Sequence, residues 1–309
     1  MRILVTGGAG FIGSHLVDAL IAEGHEAIVI DNLATGVRDN LNPQARFYEA
    51  DIRDAEAVRG LFAAERPAVL IHQAAQLDVR RSVADPAYDA DVNIVGTLRL
   101  LQNGLEHGLK KVIFASSGGA IYGDTEVMPT PETLNPAPMS PYGVSKLAIE
   151  HYLHYYATVQ GLPYVALRYA NVYGPRQNPH GEAGVIAIFA ERLLRGQQAV
   201  VFGDGENTRD YVFVGDVVRA NLAALAHEGV GAYNVGTGVE TTVNALFDRI
   251  NALTEAGATR QHAAAKVGEQ RRSCLNVSLA GQELDWQPQV ALSDGLTQTV
   301  GFFMDKVRG

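Results

Sequence analysis

A single cysteine, Cys274, stands in 309 residues, which excludes an intrachain disulfide and a thiolate metal cluster and fits a reducing compartment. Metal catalysis is not expected. No stretch reaches the ~18 unbroken apolar residues of a membrane span, and the run after Met1 is too short for the hydrophobic region of a secretory signal. A cytoplasmic protein without membrane contact is the expectation. Positive charge is scarce as well: 25 Lys and Arg against 34 Asp and Glu leave a formal charge of −9. That balance argues against nucleic acid or an anionic membrane as the main partner and favours a small molecule. Low-complexity tracts, internal repeats and Ser/Pro-rich linkers are also missing. The 32 glycines therefore belong to turns and ligand contacts rather than to a flexible filament.

What is present is a 47% hydrophobic chain, enough for a sizeable core. Short β-branched runs at Ile3 to Val5, Ala27 to Ile30, Val69 to Ile71, Val112 to Ala115 and Val165 to Leu167 read as strands. Between them, Phe11 to Glu23, Ala55 to Ala64, Pro86 to Gly108 and Pro141 to Gln160 carry apolar residues at helical spacing, and several stop at glycine. That alternation predicts an α/β fold, a doubly wound parallel sheet wrapped by helices. After about Tyr173 the alternation loosens into a smaller α/β lobe. The expected division is 1–173 for the larger domain, with elements returning from 210–240, and 174–309 mainly for the smaller lobe.

Thr6-Gly7-Gly8-Ala9-Gly10-Phe11-Ile12-Gly13 follows the first strand directly and opens a helix. Glycines at 7, 10 and 13 stand where backbone must approach a pyrophosphate and where helix must pack on strand, the pattern of a Rossmann dinucleotide site. Exposed N–H groups and the helix dipole favour the anion. The second strand ends in Asp31, placed to accept hydrogen bonds from the adenosine ribose hydroxyls and to repel a 2′-phosphate, so the expected cofactor is NAD rather than NADP. Asp51 ends the next apolar run, where it either faces the adenine or caps the helix before Ala55.

Ser140-Pro141-Tyr142-Gly143-Val144-Ser145-Lys146 reads as a helix start, with Ser140 as N-cap and Pro141 at the first helical position. Tyr142 and Lys146, four apart, then share one face near the positive end of the helix dipole. For the phenol to act as a base near neutrality its pKa must fall by ~3 units, roughly 4 kcal/mol of preference for the anion. Lys146, the dipole and an oxidised nicotinamide are expected to share that.

These segments, together with Asp-Asn-Leu-Ala-Thr-Gly at 31–36, His-Gln-Ala-Ala at 72–75, Val-Asn-Ile-Val-Gly-Thr at 92–97 and Arg-Tyr-Ala-Asn-Val-Tyr-Gly-Pro-Arg at 168–176, resemble the extended short-chain dehydrogenase/reductases. Within them the chain is similar, over nearly its whole length, to the nucleotide-sugar epimerases of the UDP-glucose 4-epimerase type. The resemblance implies a Rossmann-type fold and an NAD-dependent isomerase in which Tyr142 is the catalytic base and Lys146 both assists it and holds the nicotinamide ribose. It implies further cofactor contacts from Gly7, Gly10, Phe11, Ile12 and Gly13, from Asp31, Asn32, Asp51 and Ile52, and from Ala74, Ala75, Gln76, Asn93 and Tyr169. His72 is expected to support the strand end rather than to act as a base.

One position departs from the family. A Ser or Thr usually stands four residues before the Tyr of the Tyr122-Gly123 pair, and here that residue is Gly118; Ser117 is the expected substitute, reaching the reaction through a shifted backbone or a water. Relatives that dehydrate or decarboxylate the sugar keep an acid in the same segment, but this chain has Gly119, Ala120 and Ile121. Transient oxidation at one carbon without net redox is therefore the expected chemistry. For a UDP-sugar substrate the resemblance places Asn171 at the diphosphate or sugar, Arg209 at a phosphate and Glu269 at the nucleoside ribose. One of Arg271 and Arg272, with Arg272 as the site candidate, would reach a phosphate, and the small Ser273 would stand beside the sugar and leave room for N-acetylated substrates. Helices 86–108 and 141–160 correspond to those through which many relatives form homodimers. The rival readings are a nucleotide-sugar reductase or dehydrogenase with net NAD(H) turnover, and a non-catalytic NAD-binding regulatory protein.

Overall fold

The computed structural model describes residues 1–180, 184–265 and 270–308. The first half runs β1 (Arg2–Thr6), α1 (Phe11–Ala22), β2 (Glu26–Asp31), β3 (Arg46–Glu49), α2 (Ala55–Glu65) and β4 (Val69–His72). It continues through α3 (Val79–Ala84), α4 (Pro86–Ala90), a π-helical turn (Asp91–Gly96) and α5 (Thr97–Glu106). Next come β5 (Lys111–Ser117), the one-turn α6 (Gly118–Ile121), α7 (Pro141–Gln160) and β6 (Tyr164–Tyr169). The second half holds β7 (Asn171–Tyr173), α8 (Val185–Leu194), β8 (Val200–Phe202), β9 (Thr208–Phe213), α9 (Val214–Ala226) and β10 (Gly231–Val235). It ends with β11 (Glu240–Thr242), α10 (Val243–Thr254), β12 (Gln261–Ala263), α11 (Ser278–Glu283) and α12 (Leu292–Arg308).

Seven strands pair in the order β10-β6-β5-β4-β1-β2-β3, all in parallel. Their near-continuous apolar runs follow from burial on both faces. Ile3, Val5, Val29, Ile71 and Val165 pack on one side against Leu16 and Leu20 of α1 and Val217 and Ala224 of α9. Leu4, Ile28, Leu70, Val112 and Phe114 point the other way, against Phe62 of α2, Leu100 and Leu101 of α5 and Ile149 and Leu153 of α7. Each such side chain contributes roughly 1.5–3 kcal/mol on full burial. A third core joins α8, α10 and α12 to β9 through Phe189, Phe247, Leu296 and Phe303.

The strand order reverses between β1 and β4, so a crevice opens beyond their carboxyl ends. Thr6, Asp31, His72 and Ser117, the last residues of β1, β2, β4 and β5, all lie on that edge. The sequence predicted one helix over 86–108, and the structure breaks it. Asp85 caps α4 by accepting from the Tyr88 N–H, the π-helical turn interrupts regular winding, and α5 resumes at Thr97. Such π turns carry a locally altered side-chain direction and often sit at functional sites.

Candidate active site

Gly7 has φ +68°, and a Cβ there would lie 2.8 Å from the Ala74 nitrogen. At Gly13 a Cβ would come within 2.1 Å of the Gly7 carbonyl oxygen, so α1 can leave β1 this tightly only with glycine at that position. Gly8, which the spacing rule passed over, is equally constrained: its Cβ would fall 2.6 Å from Val29 Cγ1. A Cβ on Gly10 would meet only the Gly7 oxygen, at 3.1 Å. Phe11 and Ile12 begin α1 beside it.

Asp31 is held in place by two backbone donors, Ala9 N–H to Oδ2 at 3.0 Å and Leu33 N–H to Oδ1 at 2.8 Å. Burial pushes its carboxyl up, and the two N–H groups oppose that shift. The neighbouring Asn32 donates to Asp51 Oδ2 at 2.9 Å. Asp51 does not cap α2; that role falls to Asp54, whose carboxylate accepts from the Glu56 and Ala57 N–H groups. Asp51 is occupied instead by Arg53, whose hydrogen bond holds the carboxyl down to about 2. Ile52 is buried, with side-chain atoms 2.9 Å from where a Gly96 Cβ would stand.

At the end of β4, His72 bridges Thr6 Oγ1 (2.6 Å) and Thr97 Oγ1 (2.8 Å). Burial pulls its imidazole down to about 3, with Lys146 adding to the effect, so it is neutral and both ring nitrogens are engaged. Ala74 and Ala75 follow, half-buried, and the Ala74 N–H donates to Thr6 Oγ1 at 3.1 Å. The Gln76 backbone closes a pair with the Asn93 amide, N–H to Oδ1 and Nδ2 to O, each 2.9 Å. Tyr169 lies on β6 opposite Ser117, buried, its hydroxyl accepting from Gln73 and Asn221.

Ser140 caps α7, accepting from the Gly143 N–H at 3.1 Å, with Pro141 in the first turn. The Lys146 ammonium donates to the Ala115 carbonyl at 2.7 Å and stands 5.7 Å from the centre of the Tyr142 ring. Burial lowers it to about 8, while Asp89 and Glu150 raise it. Lys146 and the helix dipole do not by themselves bring the phenol towards neutrality, which leaves the rest of that shift to the oxidised nicotinamide. Burial pushes Tyr142 up to about 12, and the neighbouring Ser117 hydroxyl works against that rise. Desolvation of the anion outweighs the local donors.

Ser117 lies near enough to Tyr142 for its hydroxyl to favour the phenolate. The glycine after it has a packing cause. A Cβ on Gly118 would sit 2.5 Å from Leu275 Cδ1 and 3.2 Å from the Arg168 carbonyl oxygen.

The second-lobe residues gather along β7 and β9. Asn171 is half-buried on β7, its Oδ1 4.0 Å from a Cβ placed on Gly119. Arg209 on β9 donates to the Thr208 carbonyl at 2.7 Å. Ser273 is buried and continues the pairing of β9, its carbonyl accepting from the Asp210 N–H at 2.9 Å. Arg271 and Arg272 are exposed and pair with Asp204 and Glu240 respectively. Glu269 lies outside the described residues.

Two buried networks escaped the sequence reading. Asp89 accepts from Gln76, Asn93 and Ser145. Behind the catalytic strand, Glu150 takes the Arg168 guanidinium and the Ser116 hydroxyl, and Arg168 reaches on to Tyr122 at 2.8 Å. The only sequence signal for the second was Glu150 four residues after Lys146 on one helix face.

Comparison with known proteins agrees with this architecture. The chain is 47% identical to the UDP-glucose 4-epimerase of Mycolicibacterium smegmatis, with 99% of each covered. The crystal structure of a Thermotoga maritima UDP-glucose 4-epimerase with UDP-glucose superposes with a TM-score of 0.98 at 51% identity, covering 99% of this chain and 100% of that one. A UDP-N-acetylglucosamine 4-epimerase from Methanobrevibacter ruminantium gives 0.93 at 35% identity over 99% and 98%. With the glycine turn, the acidic end of β2 and the Tyr142/Lys146 face assembled on one crevice, and residues 3–236 matching the family as a block, the chain belongs to the NAD dependent epimerase/dehydratase family.

Proposed function

We propose that the protein is a UDP-sugar 4-epimerase, an isomerase that interconverts UDP-glucose and UDP-galactose by transient oxidation at C4. The observation that carries this reading is the Ser117–Tyr142–Lys146 cluster at the carboxyl edge of β5, where the buried Lys146 ammonium stands 5.7 Å from the Tyr142 ring and the nearby Ser117 hydroxyl favours the phenolate. The crevice fits NAD. Gly7 and Gly13 leave no room for a Cβ where the chain turns, α1 presents its N-terminus, and Asp31 offers a fixed carboxylate in place of a 2′-phosphate partner. Gly10 to Gly13 would hold the pyrophosphate, Asp31 and Asn32 the adenosine ribose, and Ala74 to Gln76 the inner wall. Bound there, the nicotinamide supplies the reversible hydride exchange that epimerisation without net redox requires.

The chain's own groups then move the proton. Tyr142 takes it from the C4 hydroxyl and returns it to the C4 oxygen after the keto sugar has turned its other face to the cofactor. Ser117 donates to the phenolate oxygen, and Lys146 offsets its charge. The phenol, at about 12 in the bare chain, has to come down by further positive charge when the crevice fills. Asn171, Arg209, Arg272 and Glu269 would hold the nucleotide, with the guanidiniums suited to phosphate. Arg272 is drawn from its exposed pair with Glu240. No acidic side chain stands between Ser117 and Tyr122, which favours epimerisation over elimination. The small, buried Ser273 leaves room for N-acetylated sugars. Exposed Val144, Tyr152, Tyr155 and Val159 along α7 support a homodimer through 86–108 and 141–160.

The deciding experiment incubates the protein with UDP-glucose and catalytic NAD, following UDP-galactose by proton NMR and NADH by absorbance. The C4 epimer without net NADH is expected; stoichiometric NADH would replace this reading with a dehydrogenase.

A further inference from the structure

Asp89 is a fully buried carboxylate at the last turn of α4, and it has no place in the chemistry above. Its Oδ1 accepts from Gln76 Nε2 at 2.9 Å and from Asn93 Nδ2 at 3.0 Å, and its Oδ2 accepts from Ser145 Oγ at 2.6 Å. The three donors belong to three separate pieces of the crevice. Gln76 ends the turn after β4, Asn93 lies in the π-helical turn, and Ser145 sits on α7 between Tyr142 and Lys146. All three are themselves buried. A buried charge with every contact made is stabilised, and the loss of one partner leaves a costly vacancy.

Resting on the proposed roles of Tyr142 and Lys146, we propose that Asp89 is a positioning residue for the reaction. It ties the catalytic face of α7 to the two loops that form the inner wall of the cofactor crevice. The π-helical turn gains a reason here: it directs the Asn93 amide to Gln76 and Asp89 together. Asp89 also acts through charge, since its carboxylate raises the proton affinity of both Tyr142 and Lys146. The other charged group acting on Lys146 is Glu150 from the same helix, while Asp91, at the start of the π-helical turn, is directed to Arg53. The guanidiniums of Arg53 and Arg81 lie over the adjacent Tyr88 ring.

Two variants separate shape from charge. Asp89→Asn can keep all three contacts, because its oxygen still accepts from Gln76 and Asn93 while its NH₂ donates to the Ser145 hydroxyl. Asp89→Ala keeps none. We expect Asp89→Ala to lose kcat by roughly 10²-fold, the scale of a misplaced reacting group, with KM for UDP-glucose changed far less. Asp89→Asn should keep kcat within several-fold and move the acid limb of the kcat–pH profile to lower pH, because a negative charge that opposes the phenolate has gone. A purely structural residue would not shift that limb. An Asp89→Asn profile superimposable on that of the unaltered protein would overturn the proposal, whatever the stability of Asp89→Ala. Tyr142→Phe serves as control: if it keeps turnover, the proposed function fails; if it is inactive and the Asp89 profile is unmoved, only this inference fails.

Discussion

The pairs Arg168–Glu150 and Arg272–Glu240 join the same two kinds of side chain at similar distances, 2.6 and 2.5 Å, in opposite surroundings. The first is buried behind β5, with Ser116 and Tyr122 completing its hydrogen bonds. The second lies on the surface of the smaller lobe, where Glu240 also accepts from Thr208. Removing a charge from water costs several kcal/mol, which only good geometry and further hydrogen bonds offset. A buried pair is therefore a permanent fixture, and this one fixes α7 behind Tyr142 and Lys146. An exposed pair gains little and releases its arginine readily. The difference fits the roles proposed above, in which the sheet side holds catalytic groups still and the lobe side gives a guanidinium to an incoming phosphate.

Four measurements test that contrast. Arg168→Met should cost about 3–5 kcal/mol in denaturant unfolding, because Glu150 is left buried without its cation. Adding Glu150→Met should recover much of the loss; if it does not, the pair is not what holds α7. Next, Ser117→Ala should lower kcat by up to about tenfold, the value of one hydrogen bond to a charged group. Its unfolding midpoint should not move, and an unaltered kcat would remove Ser117 from the reaction.

A third test uses pH. His72 takes a proton near 6.5 when unfolded but only near about 3 when folded. Below 6.5 the unfolded chain thus binds a proton that the folded chain refuses, and stability must fall as pH falls towards 3. His72→Gln should show a shallower slope in unfolding experiments across that range. Arg272→Ala should likewise leave the unfolding midpoint unchanged while raising KM for UDP-glucose several-fold. A large loss of stability there would erase the distinction between the two pairs.

Much of the frame was legible beforehand. Apolar runs at 3–5, 27–30, 69–71, 112–115 and 165–167 all fall within strands of the sheet, because strands buried on both faces must be apolar throughout. Ser140 and Pro141 marked the start of α7 correctly, since capping is a local matter of orphan N–H groups. The helix expected over 86–108 was not legible as broken, because its interruption depends on an Asn93 contact with Gln76, 17 residues away in sequence. Whether Asp51 faces the adenine or caps α2 was open from its position alone; in the structure Arg53 engages it and Asp54 is the cap.

By itself, then, the sequence determined the strand and helix alternation, the glycine turn, the acidic end of β2 and the Tyr142/Lys146 spacing, all set by neighbours within a few residues. Only the tertiary structure decided that Ser117 comes near Tyr142, that Leu275 occupies the space beside Gly118, and that Asp89 joins three segments of the crevice. These are contacts between residues distant in the chain. Only there does burial decide which charges and hydroxyls can act.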